Sequence, residues 1–379
     1  MDGGSTDGSV EIIRKYEDLL ARGQWPVRCQ GITYRWLSEK DKGQADAINK
    51  GFRMAEGEVV AWINSDDYYL PGAFQTAAAA IGPDSSLAMV YGDGFIVEDG
   101  SGSKRASGVE PFFDLWKLIH LYDFISQPSV FLRHDSLKKA GYLDERLHYI
   151  MDWELWIRVS RFGKIRSIPQ ALSCARLHPG AKTGSAGIKR WKEIMWCSRK
   201  YGQMRWPPSV FTQLFHKPLQ FVIKSGPGER NPFLSRLVGY ARNMYYPLIK
   251  GNRSGLYPDG YMEGNASLSL PLRSEVSRVV IRISPLCANT LRYSVNNVPY
   301  GAITLDEGLA SLEITLNDAQ RRRDFLHIRF VSGKSMAIPP LPQALMKREG
   351  SFSIRSISMQ REDGTEVSDI GLPGFLSKN

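Results

Sequence analysis

The sequence predicts an α/β domain with a mixed sheet flanked by helices, then a basic helical segment, then an antiparallel β-sandwich. Three observations lead there. From residue 10 to residue 177, short apolar runs alternate with stretches whose apolar residues recur at helical spacing. Residues 176–250 carry 14 Lys plus Arg against two Glu and no Asp, so this segment alone exceeds the net +10 of the 379-residue chain. Beyond Gly251, seven short alternating runs separated by turn residues follow within little more than a hundred residues, the pattern of an antiparallel sandwich. The expected boundaries are 1–185, 186–252 and 253–379.

The hydrophobic share of 42% is enough for a sizeable core. Cys29, Cys174, Cys197 and Cys287 are far apart and form no CxxC pair, so they read as reduced thiols and not as a disulfide frame or zinc site. No signal peptide opens the chain, and no run of 18 apolar residues could span a membrane.

Asp2-Gly-Gly-Ser-Thr-Asp-Gly-Ser9 has the composition of a loop between a strand and a helix. No strand precedes it, so a first strand is expected to be missing. Val10, Ile12, Ile13, Tyr16, Leu19 and Leu20 then define a helix, with Asp7 or Ser9 as cap and Gly23 as stop. Val27–Cys29 and Ile32–Trp36 are strand candidates. The polar loop from Ser38 leads into a helix with Ala45, Ile48 and Phe52 on one face. Asp46 and Asn49 lie one turn apart on it, able to act on one ligand.

Val59–Ile63 has the length and composition of a buried parallel strand, and it ends in Asn64-Ser65-Asp66-Asp67. Carboxylates at the end of such a strand sit where open α/β sheets bind ligands. Two adjacent acids there call for a cation or donor between them, and magnesium or manganese bridging to a substrate phosphate fits. A simple turn before Leu70-Pro71-Gly72 is the competing reading.

An Ala-rich helix is expected over Ala73–Ile81 and a strand over Leu87–Tyr91, closed by Gly92-Asp93-Gly94 as a turn or a site. A Gly/Ser-rich surface loop over 98–110, a helix over Phe112–Tyr122 and a strand over Val130–Leu132 follow. Trp153, Trp156 and Val159 mark a further helix ended by Gly163, with Asp152 at its N-cap or first turn, where the helix dipole stabilises a carboxylate. Asp is also a preferred cap in its own right. Ile165–Ile168 and Ala171–Leu177 read as strands leading to His178, a metal or phosphate ligand or an ordinary loop residue.

In the basic segment, Trp191, Trp196, Trp206, Phe211, Phe215, Phe221, Tyr245 and Tyr246 are interleaved with the cations. That composition suits contact with an anionic membrane surface, or helices packed on the preceding domain. Nucleic acid is not implied, because no RRM, KH, helix-turn-helix or zinc-finger pattern accompanies it.

Four stretches in order, Asp2–Ser9, Asp41-Lys-Gly-Gln-Ala-Asp-Ala-Ile-Asn-Lys-Gly51, Trp62-Ile-Asn-Ser-Asp-Asp67 and Met151-Asp-Trp-Glu-Leu-Trp-Ile-Arg158, together resemble the family 2 glycosyltransferases, which have the Rossmann-like GT-A fold. The sandwich, with Tyr257-Pro-Asp-Gly-Tyr261, looks like the accessory domain appended to some bacterial members. The resemblance implies that Asp2 contacts the base or ribose of a nucleotide-sugar (UDP-, GDP- or dTDP-sugar), and that Asp46 and Asn49 complete that pocket. Asn64 to Asp66 takes the place of the family's Asp-x-Asp motif. Asp66 is then the ligand of Mn2+ or Mg2+ and Asp67 lies beside it, with Asn64 bringing no charge. Asp152 falls at the catalytic base, Trp153 and Glu154 on the acceptor side, and His178 near the pyrophosphate and its metal. The activity implied is inverting, metal-dependent transfer to a glycan or lipid-linked acceptor in bacterial polysaccharide biosynthesis, in the cytoplasm or at the inner face of the plasma membrane. The family starts with a strand and a Pro-Thr/Ser-Tyr-Asn-like turn that this chain lacks. Two alternatives stay open: a non-catalytic carbohydrate-binding or scaffold protein carrying a degenerate transferase domain, and a nucleotidyltransferase.

Overall fold

A computed structural model describes residues 1–25, 31–100, 102–107, 113–178, 187–203, 209, 261–296, 298–306, 308–334, 336–338 and 348–367. The expected strand at Val27–Cys29, most of the basic segment after 203, and Tyr257 to Gly260 lie outside the described residues.

The first domain is built on a six-stranded sheet in the order β1 (Val59–Val60), β5 (Val130–Arg133), β3 (Leu87–Glu98), β6 (Lys164–Leu177), β2 (Tyr68–Tyr69), with β4 (Lys104–Ala106) paired to β3. Only β3 and β6 run parallel, and the other pairs are antiparallel. Around the sheet lie α1 (Ser9–Ala21), α2 (Gln44–Met54), α3 (Ala73–Ile81), α4 (Leu115–His120), α5 (His134–Ala140), α6 (Met151–Val159) and α7 (Gly187–Gly202). The main core joins Phe52, Trp62, Met89, Leu132, Leu155 and Trp156 under the sheet. Ala73, Ala77, Ile81, Val90 and Phe131 form a second layer with α3.

Several local expectations change. Ile32–Trp36 forms no strand, and Lys104–Ala106, inside the expected surface loop, pairs with β3 as β4. The run Val59–Ile63 is not a parallel strand: Val59 and Val60 pair antiparallel with Arg133 and Leu132, and the chain then leaves the sheet. It leaves because Trp62 turns inward, edge-on to Phe52 at 5.6 Å and stacked on Trp156 at 5.4 Å, while its carbonyl accepts from Gln127 Nε2 at 2.9 Å. Gly92-Asp93-Gly94 is no turn, since β3 continues through it. A side chain at Gly92 would collide with Leu172, and one at Gly94 would press on Ser173, so the glycines let β6 approach. The two strands expected on either side of Pro169 are one strand with shifted register there. α1 is preceded by Gly8 in the left-handed region, with Asp7 bonding Ser9 instead of capping the helix.

All seven expected C-terminal strands are present. They are β8 (Asn265–Pro271), β9 (Arg278–Pro285), β10 (Asn289–Val295), β11 (Val298–Leu305), β12 (Ala310–Thr315), β13 (Phe325–Ser332) and β16 (Phe352–Gln360), joined by β7 (Tyr261–Met262) and by a separate pair, β14 (Met336–Ile338) with β15 (Arg348–Gly350). With β7 the seven make two four-stranded antiparallel sheets, β11-β10-β13-β8 and β12-β9-β16-β7. Val279, Ile281 and Ile283 of β9 face Leu268, Leu270 and Ile328 in one shared core.

The sandwich is fused to the first domain through aromatic and histidine contacts. Phe325 belongs to the main core of the first domain, edge-on to Tyr201 at 5.7 Å. His327 Nε2 meets the Tyr201 carbonyl at 2.8 Å and its Nδ1 meets Ser269 Oγ at 2.7 Å. His120, fully buried on α4, packs edge-on to His327 at 5.0 Å, and neither of its ring nitrogens has a hydrogen-bond partner among the described residues. Burial lowers both rings, His327 to about 4 from an ordinary 6.5. The unfolded chain therefore binds protons that the folded chain refuses. The stabilisation is present above pH 6.5 and is lost as pH falls toward 4. At about 1.4 kcal/mol per pKa unit, His327 alone withdraws about 3 kcal/mol over that window. Thermal melts at pH 7.5 and pH 5 are expected to show the loss, and His120→Phe to raise the melting temperature at both. Melts independent of pH between these values would refute the account.

Candidate active site

The loop Asn64–Asp67 is held from two sides. On one side, Asn64 Oδ1 accepts from Gln44 Nε2 at 2.8 Å, and Asn64 Nδ2 donates to Gln127 Oε1 at 3.3 Å and to Asp67 Oδ2 at 3.1 Å. On the other, Asp67 Oδ1 accepts from the Arg176 backbone N–H at 3.0 Å, and Asp66 Oδ2 lies 3.0 Å from His178 Nε2. Burial raises Asp67 above the ordinary carboxylate range, opposed by the Arg176 and Asn64 bonds. Asp66 thus stands beside a histidine at the end of β6, while Asp67 is turned into the protein.

Asp2 Oδ2 accepts from Ser38 Oγ at 2.6 Å and from the Gly4 and Ser5 amides at 3.0 Å each. These bonds, Ser38 foremost, hold its carboxyl below the usual range. Glu39 N donates to the Asp2 carbonyl at 3.2 Å, and Lys50 bridges Glu39 at 2.7 Å and Asp46 at 3.2 Å. Asp46 Oδ2 also accepts from Lys42 N at 3.0 Å, the main cause of its lowered pKa. Asp2 and Asp46 are therefore neighbours through Glu39 and Lys50. Asn49 is not part of that pair. It is buried and exchanges hydrogen bonds with Leu143, Nδ2 to O at 3.0 Å and N to Oδ1 at 2.9 Å. The spacing that set Asp46 and Asn49 one turn apart is correct, but the two side chains point to different partners.

Asp152 is the second residue of α6, and its Oδ1 accepts from Trp153 N at 2.8 Å. Glu193 of α7 steers the entry to this helix, its carboxylate accepting from His148 N at 3.0 Å and Tyr149 N at 2.8 Å. Burial raises Asp152 above the ordinary range, with Arg190 opposing. Burial also raises Asp123 well above the ordinary range, and the charge on Asp152 adds to it, so the two carboxyls influence each other's ionisation. The Trp62–Trp156 stack ties the stretch leading into Asn64 to the helix carrying Asp152.

Trp153 and Glu154, expected on the acceptor side, are both buried. Trp153 is buried and donates Nε1–H to the Leu118 carbonyl at 2.6 Å. Glu154 is fully buried, accepts from Arg158 Nε at 2.8 Å and from the Tyr201 hydroxyl, and lies 3.6 Å from Lys200. Arg158 in turn donates to the Ala140 and Tyr142 carbonyls. Packing against α4 and α7 puts both Trp153 and Glu154 on the inner side of the helix.

Gln44, Gln127, Asp123 and Arg190 were not singled out from the sequence. Asp123 sits in an irregular stretch after α4, and Gln127 opens the one-turn 3-10 helix Gln127–Ser129, too short for any periodicity to mark a side chain. Their only signal is proximity to Pro128.

Residues 1–141 match the family described as Glycosyl transferase family 2. An uncharacterized glycosyltransferase of Bacillus subtilis, YwdF, is 25% identical over 189 residues, covering 48% of this chain and 68% of that protein. An uncharacterized glycosyltransferase of Rickettsia typhi is 24% identical over 191 residues, covering 48% of this chain and just over half, 55%, of its own length. Among solved structures, Staphylococcus aureus TarS 1–349 in complex with UDP-GlcNAc has 19% identity and a TM-score of 0.40, covering 66% of this chain and 79% of that one. The protein is a transferase with an α/β catalytic domain and further antiparallel sheets at its C-terminus. The similarity to the family 2 glycosyltransferases lies in its N-terminal part, residues 1–141. Among the described residues, no helix is long and apolar enough to cross a membrane.

Proposed function

We propose that this protein is an inverting, metal-dependent glycosyltransferase. In this reading it moves a sugar from a nucleotide-sugar (a UDP-, GDP- or dTDP-sugar) to a glycan or lipid-linked acceptor in polysaccharide biosynthesis, with residues 1–185 as the catalytic domain and 253–379 as an accessory sandwich. The observation that carries the reading is the Asp66–His178 contact at the sheet end, with Asp152 at the start of the helix whose Trp156 stacks on Trp62, two residues before the same loop.

The donor set fits a divalent cation shared with a diphosphate. Asp66 and His178 offer one oxygen and one nitrogen, and among the described residues no cluster of three His, Cys, Asp or Glu could hold a metal by itself. Two protein ligands plus phosphate oxygens are what Mg2+ or Mn2+ takes in such sites. When bound, the cation supplies positive charge to the leaving nucleoside diphosphate. Asp2 and Asp46 line the nucleotide side, with Lys50 and Ser38 holding their carboxylates. Asp152 takes the proton from the acceptor hydroxyl as it attacks the anomeric carbon. The diphosphate leaves as an anion and needs no acid, so one carboxylate suffices, where a glycosidase needs a close pair. The cationic charge of residues 176–250 supports a lipid-linked acceptor at an anionic membrane surface.

Hydrolysis and transfer are to be measured against UDP-, GDP- and dTDP-sugars with Mn2+, with Mg2+ and with chelator. Turnover of one donor class that chelator abolishes and Mn2+ restores is expected. Asp66→Asn and His178→Ala should each lose the response to metal. Turnover indifferent to chelator would reject the metal, and absence of turnover with every donor would reject the transferase reading of this chain.

A further inference from the structure

Asn64 stands where the resemblance expects the first acid of the metal motif, and its surroundings explain why an amide is there. The Trp62 carbonyl can only accept, so Gln127 must turn Nε2 toward it, and does so at 2.9 Å. That leaves Gln127 Oε1 facing Asn64, which must then donate Nδ2 at 3.3 Å. The same Nδ2 donates to Asp67 Oδ2 at 3.1 Å, and Asn64 Oδ1 remains to accept from Gln44 Nε2 at 2.8 Å. One backbone carbonyl therefore sets the orientation of Gln127 and Asn64, and through them holds the turn closed by Asp67 N donating to the Asn64 carbonyl at 3.1 Å. With Asp67 taken up by Asn64 and by the Arg176 amide, Asp66 is the carboxylate left to His178.

We propose that Gln127 is a positioning residue for the metal loop, acting through Asn64, and that position 64 requires an amide because an acid would break this relay. The proposal rests on the reading of Asp66 and His178 as metal ligands. A carboxylate at 64 has no N–H to give. It would set its oxygens against Gln127 Oε1 and a like charge against Asp67. Simple charge counting makes the opposite forecast, that an added acid strengthens binding of a divalent cation.

The test uses the full chain with Asn64→Asp, Gln127→Ala and the double variant. Mn2+ affinity is read by electron paramagnetic resonance in the presence of UDP or GDP, and amide hydrogen exchange over residues 62–69 is read without metal. Each single variant is expected to weaken Mn2+ binding by about tenfold or more, the usual effect of removing a partner that orients a metal ligand. The double variant should be no weaker than the worse single one, because both break one relay. Exchange over 62–69 should quicken in both while the melting temperature of Gln127→Ala stays near wild type. Equal or tighter Mn2+ binding by Asn64→Asp, additive losses, or unchanged exchange would each overturn the proposal. A wild-type chain that binds no Mn2+ overturns the metal reading itself, and the exchange comparison then still decides the relay. Should Asn64→Asp not fold, Gln127→Ala decides on both readouts.

Discussion

Asp152→Asn is expected to lower kcat by about 10²- to 10⁴-fold, the range for loss of a positioned general base. Binding of the nucleoside diphosphate should change little, because the contacts proposed for the nucleotide come from Asp2, Asp46 and the Asp66 loop on other elements. The substitution keeps the size of the side chain and an oxygen able to accept from Trp153 N, so the start of α6 is preserved. The pH profile gives a second readout. Burial raises Asp152, so the base form is lost on acidification at a pH above the ordinary carboxylate range, and kcat should rise with pH through that point. Asp123→Asn removes the partner acid but not the burial, so it should shift the limb without abolishing turnover. Calorimetry with UDP and GDP alongside steady-state kinetics checks this. A parallel loss of binding and kcat would take the base assignment away from Asp152.

Glu154→Leu is expected to destabilise the fold by about 3–5 kcal/mol, the cost of removing one member of a buried ion pair and stranding the other. Arg158 would keep its bonds to the Ala140 and Tyr142 carbonyls but lose its counter-charge, and the buried Tyr201 hydroxyl would lose its acceptor. Glu154→Leu with Arg158→Leu should recover much of the loss, since no uncompensated charge remains. Denaturant unfolding monitored by circular dichroism separates the cases. Undiminished stability together with a raised KM for the acceptor would return Glu154 to the acceptor role that the family resemblance implies.

The periodic parts of the chain were legible. Residues 73–81 and the helix after Ile150 form where helical spacing placed them, and every alternating run after Gly251 became a strand. What failed depends on partners distant in sequence. Val59–Ile63 has strand composition throughout, but Trp62 finds Phe52 and Trp156, and packing outweighs propensity. Gly92 and Gly94 look like turn residues locally and are sites of close strand approach in the fold. In the candidate site, motif and position set Asp66, His178 and Asp152 apart, and the fold brings Asp66 within 3.0 Å of His178. The destination of Asn49, Trp153 and Glu154 could not be read, because spacing gives the helix and not which neighbour lies against each face. Gln127 was invisible because an amide bridging a backbone carbonyl and a side chain leaves no periodic trace.

The junction at Phe325 and His327 has a consequence for the chain as it leaves the ribosome. α4 is synthesised early, yet its buried His120 rests against a strand that emerges some two hundred residues later. At elongation rates of about 5–20 residues per second, that is a wait of roughly ten to forty seconds. During it the catalytic domain carries an uncovered aromatic face, so its maturation waits on the C-terminal strands and a chaperone has an interval in which to act. Nascent chains stalled before residue 325 should remain protease-sensitive around α4, and chains released after residue 360 should not.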